Sequence, residues 1–338
     1  VSPEGTSISI NAVNQSNDGG QTWAPVYAPY IDVTIEGSKV IIHPKATGST
    51  GFYLVCNKDG VTKNEFISIY VHPEKTFTAL TEEGVEMTFT VTDEAGKECA
   101  AVPRCIVPST TGKVTIPSEA NGYKVVKLGP GAFENQKNIT ELILSDGVRY
   151  IEHNYAFSGC INLKSIYISK TVTDMGYALF ENCESLTSVI VDPENTVFDS
   201  RDNCNAIIHT AKNTMWSACP VTEIPNTVTK LYYAFQWIPN RESIYVPENI
   251  IEISAMEFRE CRDLKEITFA KSIANMGWSI DMDSHSLEKI TVLDENPTEI
   301  GEDVFECYST ATLIVPVGTK DKYKATGGWS KFQNIIEL

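Results

Sequence analysis

A phenylalanine returns at a nearly fixed interval through the last two thirds of the chain, at Phe133, Phe157, Phe180, Phe235, Phe258 and Phe305. The successive gaps are 24, 23, 55, 23 and 47 residues, so one period of about 23 recurs and is skipped once before Phe305. Self-similarity at that period marks a solenoid, in which no single unit can bury its own apolar face and each must stack on its neighbours. That one feature constrains the architecture more than any local motif does.

The residues around each Phe repeat with it. Val148 and Ile151 precede Phe157, Val172 and Met175 precede Phe180, and Val228 and Leu231 precede Phe235. Six residues after the Phe stand Ile139, Leu163, Leu186 and Leu264. Beyond them, segments 142–144, 166–168, 189–191, 244–246 and 267–269 carry apolar residues at alternate positions, which turns one strand face inward. Pro117, Pro247 and Pro316 close such strands, where a missing backbone donor is tolerated. Ala132, Ala156 and Ala234 sit directly before the Phe, and Gly129 and Gly176 mark turns.

The period breaks twice. The 55-residue gap exceeds two periods, and the excess falls in residues 199–209, which read as a hairpin inserted in a turn. Near Ile280 and Asp281 a degenerate repeat keeps Ile273, Met276, Leu287, Ile290 and Val292 without the Phe. The expected fold is mainly β, a solenoid of about eight rungs of about 23 residues each. Within it, residues 75–112 are expected to form an amino-terminal capping hairpin and loop, 113–315 the repeats, and 316–338 a carboxy-terminal cap.

Residues 1–72 show no trace of this register. Runs 7–10, 31–35, 39–42, 51–55 and 65–71 alternate and are separated by Gly, Asn and Pro turns, which predicts a small immunoglobulin-like β-sandwich. The joint is placed at His72, Pro73 and Glu74.

Residues 148–166 hold the clearest copy of the repeat, with Ala156, Phe157, Cys160, Leu163 and Ile166 at its fixed positions. This stretch resembles the BspA-type leucine-rich repeat of bacterial cell-surface proteins from Bacteroides and its relatives. Residues 199–208, and Val315, Pro316, Val317 and Gly318 with Gly328, Trp329 and Phe332, are similar to other phrases of that family. The resemblance covers about residues 75–338. It implies a surface-exposed, non-enzymatic binding protein, in some members an adhesin for host or matrix proteins.

Composition narrows the partners. With 27 Lys and Arg against 44 Asp and Glu the net charge is −17, which opposes nucleic acid and anionic lipid. No run of 18 apolar residues is present, so no membrane-spanning helix is expected. The chain opens on Val1, Ser2 and Pro3 without an export signal. The expectation is a secreted or cell-surface monomer, anchored in an outer membrane as a lipoprotein, from which the signal has been removed.

Of nine cysteines, Cys160, Cys183 and Cys261 lie three residues after a repeat Phe, a core position where a thiol acts as a small hydrophobe. Cys99 with Cys105, and then Cys204 with Cys219, are the favoured disulfide pairs. No catalytic motif is found, and the five histidines are scattered, so no enzyme activity and no cofactor or metal is expected. His153 reads as a solvated turn residue. Asp281, Asp283 and His285 alternate like cation ligands but lack the Gly and distal Glu of a calcium loop, and read as a polar turn.

The candidate binding residues face away from the core, between the two buried residues of each main strand. They are Ile143, Tyr167, Ile190, Tyr245, Thr268 and Thr291, with Ile314 continuing the row. Two readings of this apolar row stand: a protein-contact face, and cross-strand pairs that stabilise the sheet itself. On either reading Tyr167 and Tyr245 are expected to be near neighbours on one face. The alternative function is glycan binding by Trp23, Tyr27 and Tyr30 on the sandwich, where core packing competes for the same aromatics.

Overall fold

A computed structural model describes residues 7–11, 14–15, 24–25, 31–36, 39–44, 48–58, 61–71, 76–103, 111–152 and 154–338. The chain divides into two compact units, Val1–Thr76 and Phe77–Leu338. In the first, Ser7–Asn11, Gly48–Lys58 and Val61–Val71 form an antiparallel sheet in that order, and Ile31–Glu36 pairs with Lys39–Pro44. Trp23, Tyr27, Tyr30, His72, Cys105 and His153 lie outside the described residues.

The second unit is a β-solenoid of about 10 turns and carries almost no helix. A typical turn supplies one four-residue strand, one two-residue strand and a corner that holds the Phe. The four-residue strands stack in parallel as two sheets. Lys113–Ile116, Glu141–Leu144, Ser165–Ile168 and Ser188–Val191 form the first. Ser243–Val246, Glu266–Phe269, Lys289–Val292, Thr312–Val315 and Asn334–Glu337 form the second. The turn count exceeds the Phe count partly because Asn334–Glu337 adds a rung inside what reads as a cap.

Packing follows the repeat. Phe133 and Phe157 stack with ring centres 6.1 Å apart and Phe157 and Phe180 at 5.9 Å, while Phe235 and Phe258 are tilted at 5.9 Å, all buried. In the degenerate turn Asp281 stands at the Phe offset, and the carbonyl of Ile280 just before it accepts from the Phe258 amide as that of Leu179 accepts from Phe157. Two residues past the Phe the backbone enters the left-handed region, where Asn135 (φ 60°), Gly159 (φ 71°) and Asn182 (φ 53°) tolerate it.

The cysteines three residues past the Phe do more than fill space. Cys160 Sγ donates to the Phe133 carbonyl at 3.0 Å, Cys183 Sγ to that of Phe157 at 3.2 Å, and Cys261 Sγ to that of Phe235 at 2.9 Å. Ser284 performs the same service for Phe258. Burial pushes the Cys160 and Cys261 thiols up to about 12, which keeps them protonated as donors. The expected Cys204–Cys219 bridge is absent. Both are free thiols, because Cys219 Sγ turns to the Asn205 carbonyl and Cys204 Sγ lies near that of Ala206. Cys99 is also a free thiol, donating to Thr92.

The ends are closed differently. Thr76–Leu80, Glu86–Glu94 and Lys97–Val102 extend the short-strand sheet through Tyr123–Leu128, while Glu83 accepts from the Thr115 amide and hydroxyl at the edge of the first long-strand sheet. At the other end Tyr323, Trp329 and Phe332 are buried, with Trp329 5.8 Å from Phe305.

The insert is a three-stranded ladder, Phe198–Asp199, Ile207–His209 and Thr214–Ser217. It divides the buried apolar residues into two clusters and stops the first long-strand sheet. Ser200 Oγ and Asn205 Oδ1 accept from the Val191 and Val189 amides and cap that sheet edge. Residues 222–224 then follow in place of a regular strand. By its offset from Val228, Thr222 matches Ile244 on the next turn and Glu223 matches Tyr245.

Candidate binding surfaces

The outward row of the long strands is real but divided. Ile143, Tyr167 and Ile190 stand in register on the first sheet, and Tyr245, Thr268, Thr291 and Ile314 on the second. Tyr167 and Tyr245 are therefore not neighbours. Between the two patches Glu223 holds the outward position, paired with Arg241 at 3.1 Å, because the insert displaces the regular strand there.

Within the row, exposure is uneven. Ile190 is 47% exposed and Tyr245 51%, the two large apolar residues that frame the insert. Tyr167 is half-buried, and its hydroxyl donates to Asp192 Oδ2 at 2.6 Å. That bond pushes the phenol up to about 12 and fixes the ring. Thr291 is only 6% exposed and its Oγ1 donates to Glu266 Oε1 at 3.1 Å, so the outward position does not make it accessible.

A second feature lies on the corner between the short strands and the Phe. Tyr177 stacks on Tyr233 with ring centres 4.7 Å apart and meets Tyr232 edge-on at 5.6 Å. Trp216, from the insert, lies 5.2 Å from Tyr232, and its indole donates to the Gly176 carbonyl at 2.9 Å. Tyr155 meets Trp237 edge-on at 5.8 Å. Two of the protein's own cations sit on this cluster: Lys212 over Trp216 at 5.4 Å and Arg259 over Trp237 at 4.6 Å. Sequence reasoning missed the cluster, although Tyr155, Tyr177, Tyr232 and Tyr233 share an offset of two or three residues before the Phe.

Two grooves open on the surface. One, of about 320 Å³, is lined by Tyr150, Ile151, Glu152, Asp174, Met175 and Gly176, directly beside the aromatic corner. The other, of about 350 Å³, is lined by Glu260, Arg262, Asp283, His285 and Ser286. Asp281 does not join Asp283 and His285 there. It is buried, and its carboxylate accepts from the Glu306 and Cys307 amides. Among the described residues no group of three His, Cys, Asp or Glu is placed to hold a metal ion.

A family model for the BspA type leucine rich repeat region matches residues 112–215 and 222–325, in 6 copies. No curated protein matches the chain. Three solved structures similar to it are a leucine rich cell surface protein from Faecalibacterium prausnitzii, the leucine rich repeat protein of T. pallidum and a leucine-rich repeat protein from Bacteroides ovatus. The first is 16% identical, covering 77% of this chain and 94% of that one, with a TM-score of 0.37. The second is also 16% identical, covering 71% and 93%, at 0.37. The third is 20% identical, covering 75% and 87%, at 0.28.

Proposed function

We propose, from the premise that the chain belongs to the BspA-type leucine-rich repeat family, that it is a non-enzymatic binding protein of a bacterial cell surface. Its long-strand face contacts an extracellular protein, such as a host or matrix protein. The amino-terminal unit, read as an immunoglobulin-like sandwich, acts as a spacer. A lipid anchor in the outer membrane completes the proposal, which antibody labelling of intact cells tests. No helix among the described residues is long and apolar enough to cross a membrane.

The observation that carries the reading is the exposure of Ile190 and Tyr245 on hydrogen-bonded sheets. Cross-strand pairing explains why β-branched and aromatic residues occupy strands, but it is best served by covered side chains. Large apolar groups held rigid and half-exposed suit a protein partner, since their ordering costs little on binding. Surface binding to immobilised matrix and host-surface proteins tests the proposal. Tyr245→Ala is expected to weaken any specific interaction at least tenfold, and an unchanged affinity contradicts the assignment.

A further inference from the structure

The aromatic corner is built on a left-handed backbone step that the repeat makes on successive turns. Two residues before the Phe the left-handed region is taken by Gly131 (φ 59°), Tyr155 (φ 65°), Ala178 (φ 49°), Tyr233 (φ 53°) and Met256 (φ 55°). Two residues past it, Trp237 (φ 53°) and Glu260 (φ 55°) stand where Asn135, Gly159 and Asn182 stand on other turns. The step belongs to the repeat, and what distinguishes the corner is the aromatic side chains carried on it. The rings are also incompletely covered: Tyr232 is 39% exposed, and Tyr177, Tyr233 and Trp216 are half-buried.

The adjoining groove supplies a complementary chemistry. Gly176 belongs both to the groove and to the cluster, since its carbonyl receives the Trp216 indole. Asp174 and Glu152 line the same groove. The Glu152 carboxylate is paired with Lys127 at 3.0 Å, whereas the Asp174 carboxylate has no side-chain partner among the described residues. A volume of about 320 Å³ falls at the small end of ligand sites, and Tyr150 is the aromatic residue of the lining beside Glu152 and Asp174.

We propose that this corner and groove bind a neutral carbohydrate. In an oligosaccharide one pyranose packs its apolar C–H face on the exposed Tyr232 ring, and a neighbouring one offers hydroxyl donors to the acceptor-only carboxylate of Asp174 in the groove. Sulfated or uronic sugars are disfavoured by that carboxylate and by the net charge of −17. Ligand cations are disfavoured because Lys212 and Arg259 already lie over Trp216 and Trp237. The site is separate from the long-strand face and stands or falls independently of it.

Affinity electrophoresis of the full chain through gels containing a neutral galactomannan, xyloglucan or mixed-linkage β-glucan tests the proposal, with polygalacturonate as the anionic comparison. At least one neutral gel is expected to retard the protein. Tyr232→Ala and Asp174→Ala each weaken that retardation at least tenfold, Tyr232→Phe restores it, and Tyr245→Ala on the strand face leaves it unchanged. Circular dichroism melts of the variants separate lost binding from lost folding. No retardation in any neutral gel, retardation by polygalacturonate alone, or retardation indifferent to Tyr232→Ala and Asp174→Ala in folded protein overturns it.

Discussion

Glu257 stands directly before a repeat Phe, where Ala132, Ala156 and Ala234 stand on other turns. Its fully buried carboxylate accepts from the Ala234 and Phe235 amides and from Ser254 Oγ, taking a place in the rung-to-rung ladder that backbone carbonyls fill elsewhere. Burial outweighs these bonds and pushes the carboxyl up from 4.5 to about 7. The folded state therefore holds a proton that the unfolded chain has released. Stability from this group is fully present below about 4.5 and is lost as pH rises through about 7. Glu257→Gln removes the titration, so its melting temperature is expected to fall less between pH 5 and pH 8 than that of the wild type. Equal falls contradict the assignment. The repeat Phe makes a simpler case: Phe157→Ala or Phe180→Ala is expected to lower unfolding stability by about 3–5 kcal/mol in a denaturant titration, since each ring fills one rung of a common core.

At the level of elements, the insert decides what the repeats can do. An open strand edge invites pairing with another chain, and Ser200 and Asn205 close the edge of Ser188–Val191 with side-chain acceptors. Ser200→Ala removes the partner of the Val191 amide. It is expected to cost roughly 1 kcal/mol and to speed exchange of that amide, while leaving exchange in Glu266–Phe269 unchanged. The sequence shows the insert through its excess over two periods, because periodicity reports how many residues depart from the register. It does not show where they go. The carbonyls of Asn205 and Gly176, which draw the Cys219 thiol and the Trp216 indole, are brought near by tertiary packing alone. For that reason the Cys204–Cys219 pairing fails and the aromatic corner stays hidden, although Tyr155, Tyr177, Tyr232 and Tyr233 keep a legible offset from the Phe.

Across the whole solenoid, the offset from Phe is enough to place Leu163, Cys160 and Ile166 in the core and Tyr245 outside it, since a strand alternates faces and a stack repeats them. It is not enough to say whether two outward residues touch. Tyr167 and Tyr245 share an offset yet lie on separate sheets, with the Glu223–Arg241 pair between them. Thr291 shares it too and is covered. A partner that engages the long-strand face therefore meets two apolar patches across a charged seam. The most direct test compares wild type with an Ile190→Asp, Tyr245→Asp double variant against one immobilised matrix or host-surface protein that the wild type binds, at matched melting temperatures. Use of this face predicts at least a hundredfold loss of affinity in the double variant. Retained affinity in a folded double variant contradicts it.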